Sequence, residues 1–295
     1  MITYNHENFI AQAIEGVVMQ KTKFIFDLII SDDYSTDNTS LIIKEYKKKF
    51  PDIIKPIFRN HNIGSINNFI DTFNYCTGKY IALCEGDDFW TDPYKLQKQV
   101  DFLEANPEYG MVYTGIQVVD SNNNIIFEDN SKKPSGEIFY DLLKSAFIVT
   151  CSTCFRRELA NEAIKHSFKN NLKCMFDYWL WLHIAIRSKV HYISDITSAY
   201  RSHSGGVSKV KGFFKEILPL AVLDAVLYKT INFPEKSFKK KWELYINYCR
   251  ALTASALNWK DRIRYFRFLL YKPLYLFAFF PAIWRKIKLR FFTQE

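Results

Sequence analysis

The stretch Lys79-Tyr-Ile-Ala-Leu-Cys-Glu-Gly-Asp87-Asp88 closes a short apolar, β-prone run with three carboxylates in four residues, and Gly86 lets the backbone turn among them. Carboxylates crowded at the end of a buried strand repel one another, so something positive is expected to compensate them. A hard divalent cation such as Mg²⁺ or Mn²⁺ does so, because oxygen ligands suit it and it keeps waters for a phosphate-bearing substrate. The carboxyl ends of strands in open α/β sheets are also where ligands bind. The alternative is an acidic solvated turn that caps the helix beginning near Pro93. A second acidic turn, Asp32-Asp33, follows another strand-like run, Phe26–Ser31. Parallel strands put both turns on one edge of a sheet, beside Tyr4-Asn5-His6-Glu7 at the mouth of the first helix. Polar groups thus converge where a nucleotide could lie, with carboxylates for ribose hydroxyls or base N–H groups and a metal for the diphosphate.

The elements that must position these residues are legible in outline. Apolar residues at Phe9, Ile10, Ala13, Ile14, Val17 and Val18 make a helical stripe over Asn8–Gln20. Ser35 or Thr36 can cap a helix that runs to about Phe50 and stops at Pro51. Ile53–Phe58 reads as a strand near a sheet edge because Pro56 interrupts it. A helix from Asn62-Ile-Gly64-Ser65 to Cys76 precedes the Lys79–Cys84 strand, and another helix covers Pro93–Asn106. Strands are expected at Gly110–Val119, Asn124–Phe127, Phe147–Phe155 and Val190–Tyr200, and helices at Glu137–Ala146 and Met175–Arg187. Alternation at this spacing predicts an α/β fold with a mostly parallel sheet flanked by helices. The chain opens on what reads as a loop entering a helix, as though the first strand were missing.

With 295 residues and 48% hydrophobic content, the chain can bury one large core or two modest ones. The net charge of +9 is uneven: residues 1–208 carry −3, residues 209–258 carry +5 and residues 259–290 carry +8. A soft boundary near residue 208 therefore separates a 1–208 body from a helical, basic 209–295 region. Basic residues on the body, interleaved with aromatics, are what nucleic-acid binding needs, and they are absent. The six Cys have no framework spacing. Cys151 and Cys154 form the single C-x-x-C, but on a strand they point to opposite faces. Free thiols and the lack of a basic, then apolar, N-terminal leader predict a reducing, cytoplasmic setting.

The motifs Thr3-Tyr4-Asn5-His6-Glu7, Asp32-Asp33-Tyr34-Ser35-Thr36-Asp37, Asn62-Ile63-Gly64 and Glu85-Gly86-Asp87-Asp88-Phe89-Trp90 resemble, in order and spacing, family 2 glycosyltransferases of the GT-A fold. The match is densest over roughly residues 1–115, with two further motifs to about residue 208. The resemblance implies an inverting transferase that moves a sugar from a nucleotide-diphosphate donor to an acceptor hydroxyl. It implies that Thr3, Tyr4 and Glu7 line the nucleotide pocket, that Asp33 contacts the base, and that Asp87 and Asp88 serve ribose and metal. Where the family usually has Asp, this chain has the longer Glu85, which is not expected to ligate the ion directly. Phe176-Asp177-Tyr-Trp-Leu-Trp181 resembles the family's later motif, in which the Asp acts as general base; the preceding residue, commonly Glu, is Phe176 here. A base needs a carboxylate more basic than an exposed Asp, and desolvation by aromatic neighbours supplies this. Taken without the family, Asp177 is most simply a helix cap. Tyr200-Arg-Ser-His203-Ser-Gly-Gly-Val-Ser208 resembles the closing motif, whose His can join the metal or diphosphate. That Gly-rich stretch can close over a donor as a lid; the alternative is a surface loop with an idle His. Arg59 can pair a phosphate or a surface acid. His6, His61, His166, His183 and His191 lack ligand spacing and read as structural.

The segment 259–290 joins aromatic and apolar residues to flanking Arg and Lys. Its uninterrupted apolar run, Leu274–Trp284, is too short to span a bilayer. It reads as an interfacial segment drawn to anionic lipid, or else as a basic helix packed on the body. Peripheral attachment at the inner face of the cytoplasmic membrane, with a saccharide or lipid-linked acceptor and a role in cell-surface polysaccharide or glycolipid synthesis, follows as the expectation. Two other readings compete. One is an inactive member of the fold acting as a binding protein, favoured by Phe176, Glu85 and the missing strand. The other is a dinucleotide-dependent oxidoreductase, disfavoured because no G-x-G-x-x-G follows a strand.

Overall fold

The computed structural model describes residues 1–170, 176–206, 213–252, 263 and 265. The chain divides into two compact units, one of residues 1–138, 147–171 and 187–204, the other of residues 139–146, 172–186 and 205–295. The division at residue 204 falls close to the charge boundary, while two earlier segments join the second unit.

The first unit opens with β1 (Ile2–Thr3), α1 (Ile10–Val18), β2 (Leu28–Asp32), α2 (Thr39–Lys49), β3 (Ile54–Phe58) and α3 (Ser65–Asn74). β1, β2 and β3 form a parallel three-stranded sheet in that order, which puts Pro56 on an edge strand as expected. The expectation of an opening loop is corrected, because Ile2 and Thr3 pair with Ser31 and Asp32. The unit continues with β4 (Tyr80–Ala82), β5 (Phe89–Trp90), α4 (Lys95–Ala105), β6 (Tyr109–Val119) and β7 (Ile125–Asp129). After residue 147 come β8 (Cys154–Arg156), α6 (Arg157–Asn170) and β9 (Lys189–Arg201). The second sheet runs β4-β8-β6-β9-β5 with β7 on β6, and only its β6–β9 pairing is parallel. Among the described residues, parallel pairing is therefore confined to the first sheet and to that central pair.

Two packing facts aim the site. α1 buries Ile10, Ala13, Ile14, Gly16 and Val17, the stripe read in the sequence. A Cβ on Gly16 would stand 2.7 Å from the Trp90 nitrogen, so only glycine lets α1 lie on the β5 backbone. The β6–β9 ladder runs from Tyr109 against Lys189 to Val119 against Arg201 and delivers the Arg201–His203 segment to the strand ends.

Phe147–Phe155 is not one strand: Thr150–Ser152 is a 3₁₀ turn and the strand begins at Cys154. Strand alternation therefore does not set the directions of Cys151 and Cys154. Both are buried free thiols all the same. Glu137–Ala146 shortens to the one-turn helix α5 (Phe139–Leu142).

The second unit holds α5, α7 (Phe176–Arg187, its last residue in the first unit), α8 (Phe213–Asn232) and α9 (Phe238–Leu252). Residues Tyr178 to Leu182 of α7 are all buried. The Tyr178 hydroxyl donates to the Leu142 carbonyl at 2.6 Å, and buried Asp224 of α8 accepts from Trp179 Nε1 at 2.8 Å. No helix among the described residues is long and apolar enough to cross a membrane. The interfacial segment 259–290 lies outside the described residues except for Ile263 and Tyr265.

Candidate active site

β1, β2 and the turn after β4 end together. The Asp33 N–H donates to the Thr3 carbonyl at 2.9 Å, and the Gly86 N–H donates to the Ile2 carbonyl at 3.0 Å. A Cβ on Gly86 would lie 2.5 Å from Thr3 Oγ1 and 2.9 Å from His6 Nδ1. The glycine in the acidic turn is therefore required by close approach, and any side chain there would push β1 away. Thr3 is buried, and its hydroxyl lies 3.1 Å from His6 Nδ1. Asn5 and Tyr34, at the exits of β1 and β2, take φ values of 55° and 66°. Non-glycine residues in the left-handed region cost energy and gather at functional loops.

The Asp32-Asp33 turn is held by its own chain. Buried Asp33 accepts from the N–H groups of Ile63 at 2.8 Å and Gly64 at 2.9 Å, which ties down the Asn62–Gly64 loop. Asp32 accepts from the hydroxyls of Ser35 and Ser40. Glu7 accepts from the N–H of Asn38 at 3.0 Å, while its own N–H donates to Asp37. Asp37 also takes the Thr39 N–H at 3.0 Å, so Glu7 and Asp37 cap α2 in place of the expected Ser35 or Thr36. Tyr4 is exposed at 44%. Arg59 pairs with Asp71 and donates from Nε to Asn68 at 3.1 Å, while its Nη2 is buried without a hydrogen-bond partner among the described residues.

The second acidic turn meets positive and protonatable groups. Asp87 Oδ2 lies 3.1 Å from His203 Nε2 and 3.7 Å from His6 Nε2. Burial pushes the Asp87 carboxyl up, but the hydrogen bond from His203 and the charge of His6 outweigh it, and the net direction is down. Burial pulls the His6 imidazole down despite Asp87. Asp88 is 4% exposed, and its Oδ1 accepts the Arg201 N–H at 2.8 Å. Burial and then the charges of Asp87 and Glu85 push its carboxyl well up, which expresses the crowding of negative charge.

Two residues of this cluster do not stand out in the sequence. His6 reads there as structural, yet it shares the Asp87 oxygen with His203. Arg201 is 2% exposed and donates to the Asp87 carbonyl at 2.8 Å, to Asn123 at 2.9 Å and to Gln12 at 2.7 Å. Its guanidinium lies 4.7 Å from the centre of the Phe9 ring. Its place in the Tyr200–Ser208 motif is the available signal, and an arginine between apolar strand residues needs a reason to be there.

Asp177 stands in the first turn of α7, in the second unit, half-buried, with Oδ1 accepting the Tyr178 N–H at 2.7 Å.

Among the described residues no group of three or more His, Cys, Asp or Glu side chains is placed to hold a metal by itself. A smaller donor set is present, since the Asp87 carboxylate and the His203 imidazole are adjacent. One carboxylate and one imidazole fit a hard cation whose remaining positions are filled by waters and phosphate oxygens.

Comparison with known proteins agrees with this geometry. Residues 1–164 match the family described as Glycosyl transferase family 2, and the chain belongs to it. An uncharacterised protein of Mycobacterium tuberculosis is 35% identical over 214 residues, 70% of this chain; the chain spans 58% of that relative's length. The Escherichia coli UDP-Glc:alpha-D-GlcNAc-diphosphoundecaprenol beta-1,3-glucosyltransferase WfgD is 27% identical over 219 residues, covering 74% of this chain and 80% of WfgD. Among solved structures, S. aureus TarS in complex with UDP-GlcNAc superposes with a TM-score of 0.57 at 15% identity, over 86% of this chain and 79% of that one. The mannosyltransferase PcManGT of Pyrobaculum calidifontis, in complex with GDP-Man and Mn²⁺, gives 0.56 at 17% identity, over 100% of this chain and 86% of that one. These neighbours are glycosyltransferases of the GT-A fold, and this chain shares that fold.

Proposed function

We propose that the chain is an inverting glycosyltransferase that takes a sugar from a nucleotide-diphosphate donor and places it on an acceptor hydroxyl. The convergence of His203 and His6 on one Asp87 oxygen, beside Thr3 and at the carboxyl ends of β1 and β2, carries this reading most. Thr3, Tyr4, Glu7 and Asp33 form or brace the nucleotide pocket; Arg59 contributes by holding α3 at its border. Asp87 and His203 are the residues to hold Mg²⁺ or Mn²⁺, and Asp88 keeps them in place through the Arg201 amide. When bound, the ion neutralises charge that develops on the departing diphosphate. Asp177 takes the proton from the acceptor hydroxyl as its oxygen attacks the anomeric carbon from the face opposite the nucleotide. The bond from that carbon to the diphosphate oxygen breaks in the same displacement, so the configuration inverts.

A lipid-linked acceptor in cell-surface polysaccharide or glycolipid synthesis is the finer reading. WfgD, whose name specifies a diphosphoundecaprenol acceptor, supports it, as does the basic, aromatic 259–290 segment, which suits an anionic membrane surface. The test pairs calorimetric titration of UDP- and GDP-sugars, with and without Mn²⁺, with turnover of Asp177→Asn. Donor binding is expected to survive that substitution while turnover falls roughly 10²–10⁴-fold, the usual worth of a general base. Loss of donor affinity at unchanged turnover would reassign Asp177 to binding. Donor binding with no transfer to any acceptor, by the unsubstituted protein, would favour a binding protein of the same fold.

A further inference from the structure

The α8–α9 hairpin takes no part in the donor, metal or base assignments, and its end is unusual for a helical unit. In α8 every side chain from Ala221 to Val226 is buried, but exposure grows along the helix until Ile231 stands 64% exposed. Pro234 ends the helix, since it has no N–H and disfavours a helical residue before it. The Phe233 N–H closes the last turn onto the Lys229 carbonyl at 2.9 Å. The chain resumes as α9 at Phe238, yet the buried side chains of α9 begin only at Leu244. Residues 231–239 therefore form a convex tip beyond the core of their own unit. The apolar side chains on it are large: Ile231 and Phe233 are exposed, and Phe238 is 69% exposed. Half-buried Trp242 follows Phe238 by one helical turn, and the two rings stack at 13° with centres 6.5 Å apart. Exposed apolar patches rimmed by polar residues mark protein or membrane contacts, and charge decides between them. Residues 229–243 hold five Lys and two Glu. Both acids are taken: Glu235 pairs with Lys229 at 3.0 Å and accepts from the Tyr140 hydroxyl at 2.8 Å, and Glu243 pairs with Lys144 at 3.0 Å. Lys236, Lys239, Lys240 and Lys241 leave the tip strongly positive.

We propose that this tip docks on an anionic bilayer, with Ile231, Phe233 and Phe238 among the outer acyl carbons and the four lysines at the headgroup phosphates. Binding at such an interface grows with the apolar area buried and with the charge facing anionic lipid, and the tip supplies both in one short segment. Lysine stems lie along apolar surface while the ammonium stays in water, so the charges keep their solvent when the rings enter. A second copy of the chain does not fit, because it would bring two sets of lysines face to face. Single-stranded nucleic acid is held in a charged groove with bases stacked along it, whereas a convex tip with an isoleucine at its edge suits a flat, fluid surface. This surface goes beyond the transferase reading. It rests on exposure and charge at the tip, lies on residues other than the 259–290 segment, and is independent of the donor, metal and base assignments.

The test footprints the full chain with an acetylating reagent, read at each lysine by mass spectrometry, in solution and with vesicles. Vesicles of mixed phosphatidylglycerol and phosphatidylcholine are expected to slow acetylation of Lys236 and Lys239 roughly fivefold or more, and phosphatidylcholine alone to leave it unchanged, as attraction to anionic lipid demands. Ile231→Ser with Phe238→Ser, and separately Lys236→Gln with Lys239→Gln, should each weaken co-sedimentation with the mixed vesicles roughly tenfold. All four side chains are exposed, so neither pair of substitutions should shift the melting temperature or the titration of UDP- and GDP-sugars in solution. Equal co-sedimentation of the parent and both variants would overturn the tip. So would protection confined to lysines of the tail, such as Lys260 or Lys286, with Lys236 and Lys239 unprotected. Equal protection by phosphatidylcholine alone, or protection by an oligouridylate and not by the mixed vesicles, would overturn the anionic bilayer as its occupant.

Discussion

The two acidic turns look alike in sequence and differ in what their oxygens meet. Asp32 and Asp33 accept from the chain itself, from two serine hydroxyls and three backbone N–H groups. Asp87 instead faces two imidazoles, and Asp88 is crowded by carboxylates in a buried place. Charge that is satisfied by fixed dipoles holds a loop in one conformation; charge met by titratable nitrogens remains available to a ligand. Under the proposed function, the first turn would brace the nucleotide pocket, and the second would be the place for a cation and a diphosphate.

Substitutions at equivalent places should separate these roles. Asp87→Asn keeps the size of the side chain and its ability to hydrogen-bond His203. It removes the charge, so transfer should fall by roughly 10²–10³-fold or more with little change in melting temperature. Full activity in this variant, measured with saturating Mn²⁺, would break the comparison at its functional end. Asp33→Ala should do the opposite. It strips the acceptor from the Ile63 and Gly64 N–H groups, at a cost of about 3–6 kcal/mol if each charged hydrogen bond has its usual worth. Urea unfolding measures this directly; a variant as stable as the parent would mean that the loop finds other acceptors.

Elements carried by local periodicity are legible in the sequence alone. The α1 stripe, the edge strand marked by Pro56 and the β6–β7 hairpin around Asp120–Asn123 all fall where the residues place them. What periodicity does not carry is non-local. The parallel pairing of β6 with β9 joins residues some eighty positions apart, and nothing in either run declares its partner. The turn at Thr150–Ser152 interrupts a β-branched run because the Ser152 N–H closes onto the Val149 carbonyl, a bond that propensity does not reveal. At the site, the carboxylates stand out because acidic clusters are rare on apolar strands. His6 and Arg201 do not, because their meaning lies in Asp87, reached from opposite ends of the sequence. Glu7 shows the converse: read as a pocket residue, it also holds the start of α2.

The finest distinction between the turns lies behind them. Lys95 is fully buried beside Trp90, its Nζ 4.9 Å from the ring centre and 2.6 Å from Gln99 Oε1, just after the second turn. Burial lowers its pKa to about 8. An unfolded lysine keeps its proton to about pH 10.4, so between about 8 and that value the unfolded chain binds the extra proton. Stability then rises with pH across that window, by at most about 3 kcal/mol at its upper end, and the folded protein carries the full penalty of the buried charge below it. Lys95→Met fills the same space without a charge and should be more stable than the parent at pH 7, by a margin that shrinks as pH climbs to 10. Denaturant titrations of both proteins at pH 7, 8, 9 and 10 give the difference free of tyrosine and other shared titrations. A constant difference would mean that Lys95 holds its charge throughout that range.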